Sequence, residues 1–420
     1  MSRRSRGREK DYMAVKLNTS RSLFKFFKMT LGLFLVIRYR SHVENKGILK
    51  EFKPPYAIMP NHVGFWDPFL VNFYIPYLVQ YVVSDYQFRI PIMKFLLGLV
   101  GAIPKSKAIS DFETVRNIFR VKQNKGVIGI FPEGMRNWDG CKLPTLYATA
   151  KLLKALKVPV IVPIIKGAYM VLPRWKRKPN RGRVTIEFKV GFTAEQIKSM
   201  DVDQIHDRLG ELIKYNEWEY QRKAMLKYRG KTRAEHIELV LFACPKCKTL
   251  GAMRSNGQYL HCSHCGYSVV YNVHCFFESP NGDSSSVFFD NVRDWNVWQL
   301  EHLESLAKEM KSAKSDEPLF TDERCVVWRG YRREPMERYH AGTVALFGDR
   351  IEIWSDGEKV IHPIEDVHGI NVQLHEVVEY YYEDALYMFR FEDSSVSGYK
   401  WMTAVNLLLG KDPVNAEFFG

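Results

Sequence analysis

The sequence lacks a hydrophobic run long enough to cross a bilayer. The longest strongly apolar stretch near its start is Met29 to Ile37, whereas a membrane-spanning helix needs about 20 apolar residues. A cleavable signal peptide is not visible either. Of the seven cysteines, four form the metal-like pattern described below, and the others are expected to be reduced thiols. We therefore expect a cytoplasmic protein without a transmembrane helix.

Acidic residues are scarce at the start of the chain and abundant at its end. Residues 1–50 contain thirteen Lys/Arg against three Asp/Glu, whereas residues 316–420 contain ten Lys/Arg against twenty Asp/Glu. The whole chain has a formal net charge of +14. An anionic partner, either a membrane surface or a nucleic acid, is therefore expected to bind away from the C-terminus.

Two basic segments could contact such a partner. Residues 23–40 interleave Lys25 and Lys28 with phenylalanines, which favours a helix lying in a membrane interface. The alternative for this segment is a core helix with a charged edge. Residues 174–183 form a basic loop, which is usually a solvated surface but could also meet anionic headgroups or an acyl donor that carries a nucleotide.

Strand and helix signals alternate over residues 56–190. Strand-like runs at 56–59, 127–131 and 158–165 are separated by helical stretches such as that at 145–157. An apolar content of 46% in 420 residues excludes wholesale disorder and allows a full-sized core. The alternation predicts an α/β fold with a mixed, partly parallel sheet flanked by helices.

A first motif at residues 60–68 contains His62 and Asp67. On a continuous helix these residues would lie about 140° apart, but the flanking prolines and Gly64 predict a loop. Such a loop can fold the aspartate back onto the imidazole, whose other nitrogen then remains free as a base. The alternative is that Asp67 only caps a helix that begins at Pro68.

A second motif, Phe131 to Asn137, lies at the end of a predicted strand. Gly134 permits close approach to the backbone, Arg136 can bind a phosphate with two hydrogen bonds, and Glu133 can accept hydrogen bonds from hydroxyls. Ligands of such sheets bind at the carboxyl ends of the strands. Since both motifs follow strands, we expect them to share one site.

Together these motifs resemble those of the glycerolipid acyltransferase family, which includes the 1-acylglycerol-3-phosphate acyltransferases. His62 and Asp67 match the family's H-x-x-x-x-D motif, and Phe131 to Arg136 matches its F-P-E-G-x-R motif. Val162 to Ile164 is similar to its last, apolar motif, and the resemblance covers roughly residues 20–215. It implies that a fatty acyl group is transferred from acyl-CoA or acyl-carrier protein to the sn-2 hydroxyl of lysophosphatidate, giving phosphatidate for phospholipid biosynthesis.

The resemblance also implies the site residues. His62 and Asp67 would be catalytic, without a cofactor for catalysis, and neither motif contains a serine or cysteine that would form an acyl-enzyme. Lys107 stands where the family has an arginine that holds the substrate phosphate. The residues implied in substrate binding are Asn61, Lys107, Glu133, Gly134 and Arg136. Glycerol 3-phosphate and other lyso-lipids remain alternative acceptors, and the enzyme would work as a peripheral protein on the inner face of the membrane.

Four cysteines, Cys244, Cys247, Cys262 and Cys265, form two C-x-x-C knuckles with fourteen residues between them. This spacing predicts a zinc ribbon with a closed tetrahedral site and hence a structural zinc ion. Because zinc ribbons also bind nucleic acids, a nucleic-acid-binding protein is the alternative from a different functional class.

The last hundred residues have a different pattern. Residues 341–354 alternate around a Gly-Asp turn, and Trp401 to Leu409 predicts a terminal helix, so the region resembles pleckstrin-homology-like modules. It could instead recruit another protein. The predicted division is a basic tail (1–20), an acyltransferase domain with the interface helix (21–236), a zinc ribbon (237–278), a connecting helix and linker (279–318) and a β-rich module (319–420).

Overall fold

The structure, a computed structural model, describes residues 21–105, 112–313, 316–331, 335–355 and 357–414. The predicted basic tail and the candidate substrate-binding residue Lys107 lie outside these residues.

The segment predicted to lie in a membrane interface is helical as far as Arg38. It consists of α1 (Arg21–Phe27), a π-helical turn (Lys28–Gly32) and α2 (Leu33–Arg38). Leu35 packs into the core, whereas several large apolar side chains remain exposed, namely Phe26, Met29, Phe34 and Ile37. Among the described residues, no helix combines the length and apolarity needed to span a bilayer.

Seven strands of the described part of the chain form the first sheet. They are β1 (His42–Glu44), β2 (Tyr56–Ile58), β3 (Val79–Ser84), β4 (Ile103–Lys105), β5 (Val127–Gly129), β6 (Val160–Lys166) and β7 (Thr185–Phe192). The order across the sheet is β1-β7-β6-β2-β5-β3-β4. Within it β6 and β7 are antiparallel, and the other neighbours are parallel. The predicted α/β fold with a mixed, partly parallel sheet is therefore confirmed.

Both faces of this sheet are covered. The helices of this region are α3 (Asp67–Tyr74), α4 (Pro91–Leu99), α5 (Phe112–Gln123), α6 (Tyr147–Leu156), α7 (Ala168–Val171), α8 (Ala194–Ser199), α9 (Val202–Leu212) and α10 (Glu217–Ala224). Tyr56 and Ile58 of β2 face one core cluster together with Leu70 of α3. Ala57 faces the opposite cluster together with Leu153 of α6. Burial on both faces explains why the strands are continuously apolar.

A small antiparallel sheet follows, with the order β11-β10-β9-β8. Its strands are β8 (Met253–Asn256), β9 (Tyr259–Cys262), β10 (Ser268–Tyr271) and β11 (Phe277–Glu278). The next helix, α11 (Val292–Ala313), lies within the segment predicted to contain a connecting helix and a linker, and it occupies 22 of its residues. Its buried stripe continues to Leu303 and Ala307. Because this stripe packs against the core, the helix extends into the charged residues that follow.

The C-terminal region is a second seven-stranded sheet, counted over the described residues, and all its neighbouring strands are antiparallel. Its elements are β12 (Phe320–Gly330), β13 (Glu337–Leu346), β14 (Arg350–Ser355), β15 (Glu358–Pro363), β16 (Val367–Gln373), β17 (Val377–Tyr382), β18 (Ala385–Phe391) and the helix α12 (Gly398–Leu408). A β-rich region with a terminal helix agrees with the predicted pattern.

One hydrophobic cluster connects these regions. The Trp138 ring, which follows the second motif, lies 4.7 Å from the ring of Tyr399 in α12. Phe242, just before the first cysteine knuckle, contacts the same tyrosine. The buried residues from Leu35 to Leu408 belong to one continuous cluster. The predicted segments therefore share core residues, and a truncation near residue 236 would expose part of that core.

Candidate active site and metal centre

The loop after β2 brings His62 and Asp67 into contact. Nδ1 of His62 lies 3.0 Å from Oδ2 of Asp67, which is almost fully buried. The His62 side chain retains 19% exposure, and its Nε2 has no hydrogen-bond partner within the described residues. The geometry predicted for a carboxylate-oriented imidazole is therefore present.

The Asp67 carboxylate also closes the loop on itself. Its Oδ2 accepts hydrogen bonds from the backbone N–H groups of Val63 and Gly64, both at 2.7 Å. Helix α3 begins at Asp67, but its N-cap residue, Trp66, makes no side-chain capping bond. The carboxylate thus binds the loop behind it rather than the first turn of the helix ahead, so the capping alternative is not what the structure shows.

The second motif holds the first through the backbone of His62. Because β2 and β5 are parallel neighbours, their carboxyl ends lie side by side. Oε1 of the buried Glu133 accepts the N–H of His62 at 2.7 Å. The N–H of Asn137 donates to the carbonyl of His62 at 3.1 Å. Both backbone polar groups of His62 are therefore bound to the second motif.

Burial lowers the pKa of the His62 imidazole, and the hydrogen bond and charge of Asp67 counteract this effect. The positive charges of Arg136 and Arg174 lower this pKa further. The ring also stacks on Phe131, with 3.9 Å between the ring centroids. A neutral imidazole is thus favoured, with its Nδ1–H directed at the carboxylate and a lone pair on Nε2.

Two residues predicted to bind substrate have other partners. Burial raises the pKa of Glu133 to about 8, while the amides of Leu143 and His62 lower it. Its Oε2 accepts the N–H of Leu143 at 2.7 Å, so each carboxylate oxygen binds a backbone amide. The Asn61 amide exchanges two hydrogen bonds with the backbone of Ile165 in β6. In the structure these side chains fasten the loops rather than face an open space.

The remaining motif residues form the turn itself. Gly134 has a φ of +70° and donates its N–H to the carbonyl of Phe131 at 3.0 Å, a conformation that favours glycine. Nη2 of Arg136 donates to the carbonyl of Leu374, 3.1 Å away in the turn between β16 and β17. Burial lowers the pKa of Arg136 to about 10. No carboxylate among the described residues forms an ion pair with Arg136.

Arg174 is a residue that the sequence did not single out. The prediction of a solvated surface is wrong for the first three residues of the basic loop, because Arg174, Trp175 and Lys176 are all buried. The guanidinium of Arg174 lies 4.1 Å from the Trp138 ring centroid and donates to the carbonyl of Arg136 at 3.1 Å. The presence of Trp175 in the basic loop was the feature of the sequence that indicated burial.

The four predicted metal ligands come together. The Sγ atoms of Cys244, Cys247, Cys262 and Cys265 all lie within 4.8 Å of one another. Two of these distances are 3.6 Å and 3.7 Å. A tetrahedron with Zn–S bonds of about 2.3 Å has S···S edges of about 3.8 Å. The sulfur positions are thus compatible with a structural zinc ion.

The two cysteine knuckles have the same backbone turn. The N–H of Lys248 donates to the carbonyl of Cys244 at 2.9 Å, and the N–H of Gly266 donates to that of Cys262 at 3.0 Å. Both donors have a positive φ, +62° and +72°. This repetition aims two sulfurs from each loop at one point. Four thiolates would fill a tetrahedral site, so no coordination position would be open to a substrate.

Comparisons with known proteins agree with the motif resemblance. Residues 40–166 match the family model described as Acyltransferase. The chain is 21% identical over 206 residues to the 1-acyl-sn-glycerol-3-phosphate acyltransferase of Saccharomyces cerevisiae, which covers 45% of this chain and 65% of that protein. The chain thus spans slightly less than two thirds of the length of this relative.

A solved structure is also similar, the 1-acyl-sn-glycerophosphate (LPA) acyltransferase PlsC from Thermotoga maritima. The identity is 16%, the TM-score is 0.38, and the match covers 45% of this chain and 78% of that one. The family match contains both motifs of the candidate site. Residues 40–166 are therefore the part of the chain that is similar to the acyltransferase family.

Proposed function

We propose that the protein transfers a fatty acyl group from acyl-CoA or acyl-carrier protein to the free sn-2 hydroxyl of lysophosphatidate, giving phosphatidate. The observation that carries this proposal is the arrangement of His62, whose Nδ1 contacts Asp67 while its backbone is bound on both sides by the second motif. The name of the yeast relative supports a phosphorylated acceptor. Glycerol 3-phosphate or another lyso-lipid are the alternative acceptors.

In the proposed mechanism, Nε2 of His62 takes the proton of the acceptor hydroxyl. The hydroxyl oxygen then attacks the thioester carbonyl carbon, and a C–O bond replaces the C–S bond as the thiolate leaves. The imidazolium returns its proton to the thiolate, so the enzyme is regenerated. Asp67 fixes the tautomer and stabilises the imidazolium. Since neither motif contains a serine or cysteine, the attack is direct.

The other candidate residues divide into two groups in this proposal. Arg136 binds the acceptor phosphate, and Lys107 assists it, as the family resemblance implies. Asn61, Glu133 and Gly134 position the two loops, because their hydrogen bonds go to the protein backbone. The cysteine cluster holds a structural zinc ion and takes no part in the reaction.

We further propose that the enzyme meets its substrate on an anionic membrane surface at the cytoplasmic face. Lyso-lipids reside in membranes, and exposed apolar side chains occur in α1–α2 and again in α4, at Ile92 and Phe95. Lys25 and Lys28 lie among the apolar residues of the first helices. Such a combination favours binding to an interface that contains anionic lipids.

Vesicle flotation with and without anionic lipid tests this membrane proposal. We expect binding that weakens as the ionic strength rises and that is lost when Phe34 and Ile37 are both changed to serine. Salt-dependent binding to a DNA or RNA duplex, with no binding to vesicles, would instead favour a nucleic-acid-binding protein.

The decisive experiment for the activity is an acyl-transfer assay with purified protein, using acyl-CoA and acyl-carrier protein separately. The acceptor panel contains lysophosphatidate, glycerol 3-phosphate, lysophosphatidylcholine and monoacylglycerol. We expect the highest kcat/KM with lysophosphatidate. Turnover of another acceptor alone would assign the alternative, and no transfer to any acceptor would overturn the proposal.

A further inference from the structure

The turn between β16 and β17, Leu374 to Glu376, lies against the candidate active site although it is more than 200 residues away in sequence. The carbonyl of Leu374 accepts a hydrogen bond from Nη2 of Arg136 at 3.1 Å. Nδ1 of His375 lies 2.5 Å from the carbonyl of Arg174. The C-terminal region thus contacts the arginine that is proposed to bind the acceptor phosphate.

Arg174 connects this turn to the second motif. Its Nη1 donates to the carbonyl of Arg136 at 3.1 Å, and its Nη2 donates to the carbonyl of Val372 in β16. The guanidinium is planar and stacks on Trp138, so both donors have fixed directions. Arg136 is therefore held at its backbone by Arg174 and at its side chain by Leu374.

The turn is itself anchored to the acyltransferase region. Nη1 of Arg89 lies 2.5 Å from Oε1 of Glu379 in β17. Tyr86 packs in a small buried cluster with Val377 and Met388. Leu374 has a φ of +52°, a conformation that a residue other than glycine keeps only when its surroundings impose it. These contacts fix the Leu374 carbonyl in front of Arg136.

The positive charges of Arg136 and Arg174 are not balanced by an ion pair in the part of the chain that the structure describes. Arg136 and Arg174 lie near each other, and neither forms an ion pair with a carboxylate within the described residues. Arg174 is only 3% exposed, and its Nε has no hydrogen-bond partner there. Buried charges are normally paired. A phosphate that binds Arg136 beside His62 would supply the missing negative charge, and a guanidinium binds it with directed hydrogen bonds.

We propose that Arg174, together with the turn between β16 and β17, is a positioning element that aims Arg136 at the phosphate monoester of the acceptor. The C-terminal region then determines that the acceptor is phosphorylated. This inference rests on the proposed acyl transfer and goes beyond it, because it assigns acceptor selection to residues outside the region that matches the family model.

The test is the substitution Arg174→Lys in the full-length protein, assayed with lysophosphatidate and with a monoacylglycerol of the same chain length. A lysine keeps the charge but cannot bridge two carbonyls with a rigid fork. We expect the KM for lysophosphatidate to rise about tenfold with kcat nearly unchanged, and the KM for monoacylglycerol to stay constant. Arg181→Lys, an exposed arginine of the same loop, is the matched control and should change neither constant.

A double-mutant cycle shows whether Arg174 acts through Arg136. In the Arg136→Ala background, Arg174→Lys should add little to the KM for lysophosphatidate, whereas independent effects would multiply. Multiplying effects, an equal rise for both acceptors, or an unchanged KM would each overturn the inference. If Arg174→Lys does not fold, His375→Ala replaces it and should raise the same KM about threefold by loosening the same contact.

Calorimetric binding of glycerol 3-phosphate separates this inference from the proposed function. If wild-type protein binds it but transfers no acyl group, the proposed function fails. The inference then still stands, provided that Arg174→Lys weakens binding about tenfold. If wild-type protein transfers acyl groups but Arg174→Lys binds glycerol 3-phosphate as tightly as wild type, the inference fails alone. A wild-type protein that neither binds nor acylates any phosphorylated acceptor overturns both.

Discussion

The candidate active site and the four-cysteine centre are assembled in the same way, but they differ in what remains available to a ligand. Each consists of two loops that the fold brings together. In the cysteine centre all four sulfurs converge on one point. In the candidate active site Asp67 and Glu133 bind backbone amides, whereas Nε2 of His62 has no hydrogen-bond partner in the part of the chain that the structure describes. Polar groups whose hydrogen bonds are all made stabilise a site, whereas a polar group without a partner can bind or react with a ligand.

Replacing His62 by alanine should have the largest effect, because it removes the nitrogen that is proposed to act as the base. We expect acyl transfer to fall by about 10²–10⁴-fold, the contribution that a general base typically makes. Folding and zinc content should not change. His42→Ala, an exposed histidine in β1, is the control. Substantial turnover by His62→Ala would exclude His62 as the base.

Asp67→Asn should have the next largest effect. An asparagine oxygen can still accept an N–H from the loop, so we expect the fold to persist. It cannot stabilise the imidazolium or fix the tautomer as a carboxylate does. We expect kcat to fall about 10²-fold, with thermal unfolding showing only a small decrease in Tm. A kcat close to the wild-type value would mean that Asp67 only closes the loop.

Cys262→Ser tests the other half of the comparison. It should remove the zinc ion, as measured by atomic absorption, and lower the Tm by roughly 10 °C, because metal binding contributes to folding free energy. At temperatures where the variant remains folded, kcat should stay within about twofold of the wild type, since the closed site has no catalytic position.

Cys141→Ser is the matched control, because Cys141 is outside the cysteine cluster, and it should retain the zinc ion. A large loss of kcat in folded Cys262→Ser, without any change in Cys141→Ser, would show that the cluster also supports the active site.

The smallest effect concerns the pH profile. The base must be neutral, and burial lowers the pKa of His62. Activity should therefore persist below the pKa of about 6.5 of an unperturbed histidine and should be lost only as the pH falls through the lowered value. Arg136→Leu removes a nearby positive charge and should move the acidic limb of kcat to higher pH by a fraction of a unit. A shift to lower pH would contradict this electrostatic account.

Local spacing in the sequence was sufficient for much of the fold and of the site. Alternating strand and helix signals predicted the α/β sheet, and the loop after β2 places His62 against Asp67 because both residues belong to one short segment. The C-x-x-C spacing predicted the sulfur cluster for the same reason, since each knuckle is a single local turn. Features formed by residues that are close together in the sequence can be predicted without knowledge of the fold.

The partners of individual polar groups were decided only by the tertiary structure. Glu133 and Asn61 were predicted to bind substrate, but packing brings backbone amides to their side chains. Arg174 belongs to a basic run of a kind that is usually solvated, yet Trp138 and β16 contact it. The contact between Arg136 and Leu374 spans 238 residues. No periodicity or spacing encodes such a contact, because it depends on how separate sheets pack around one core.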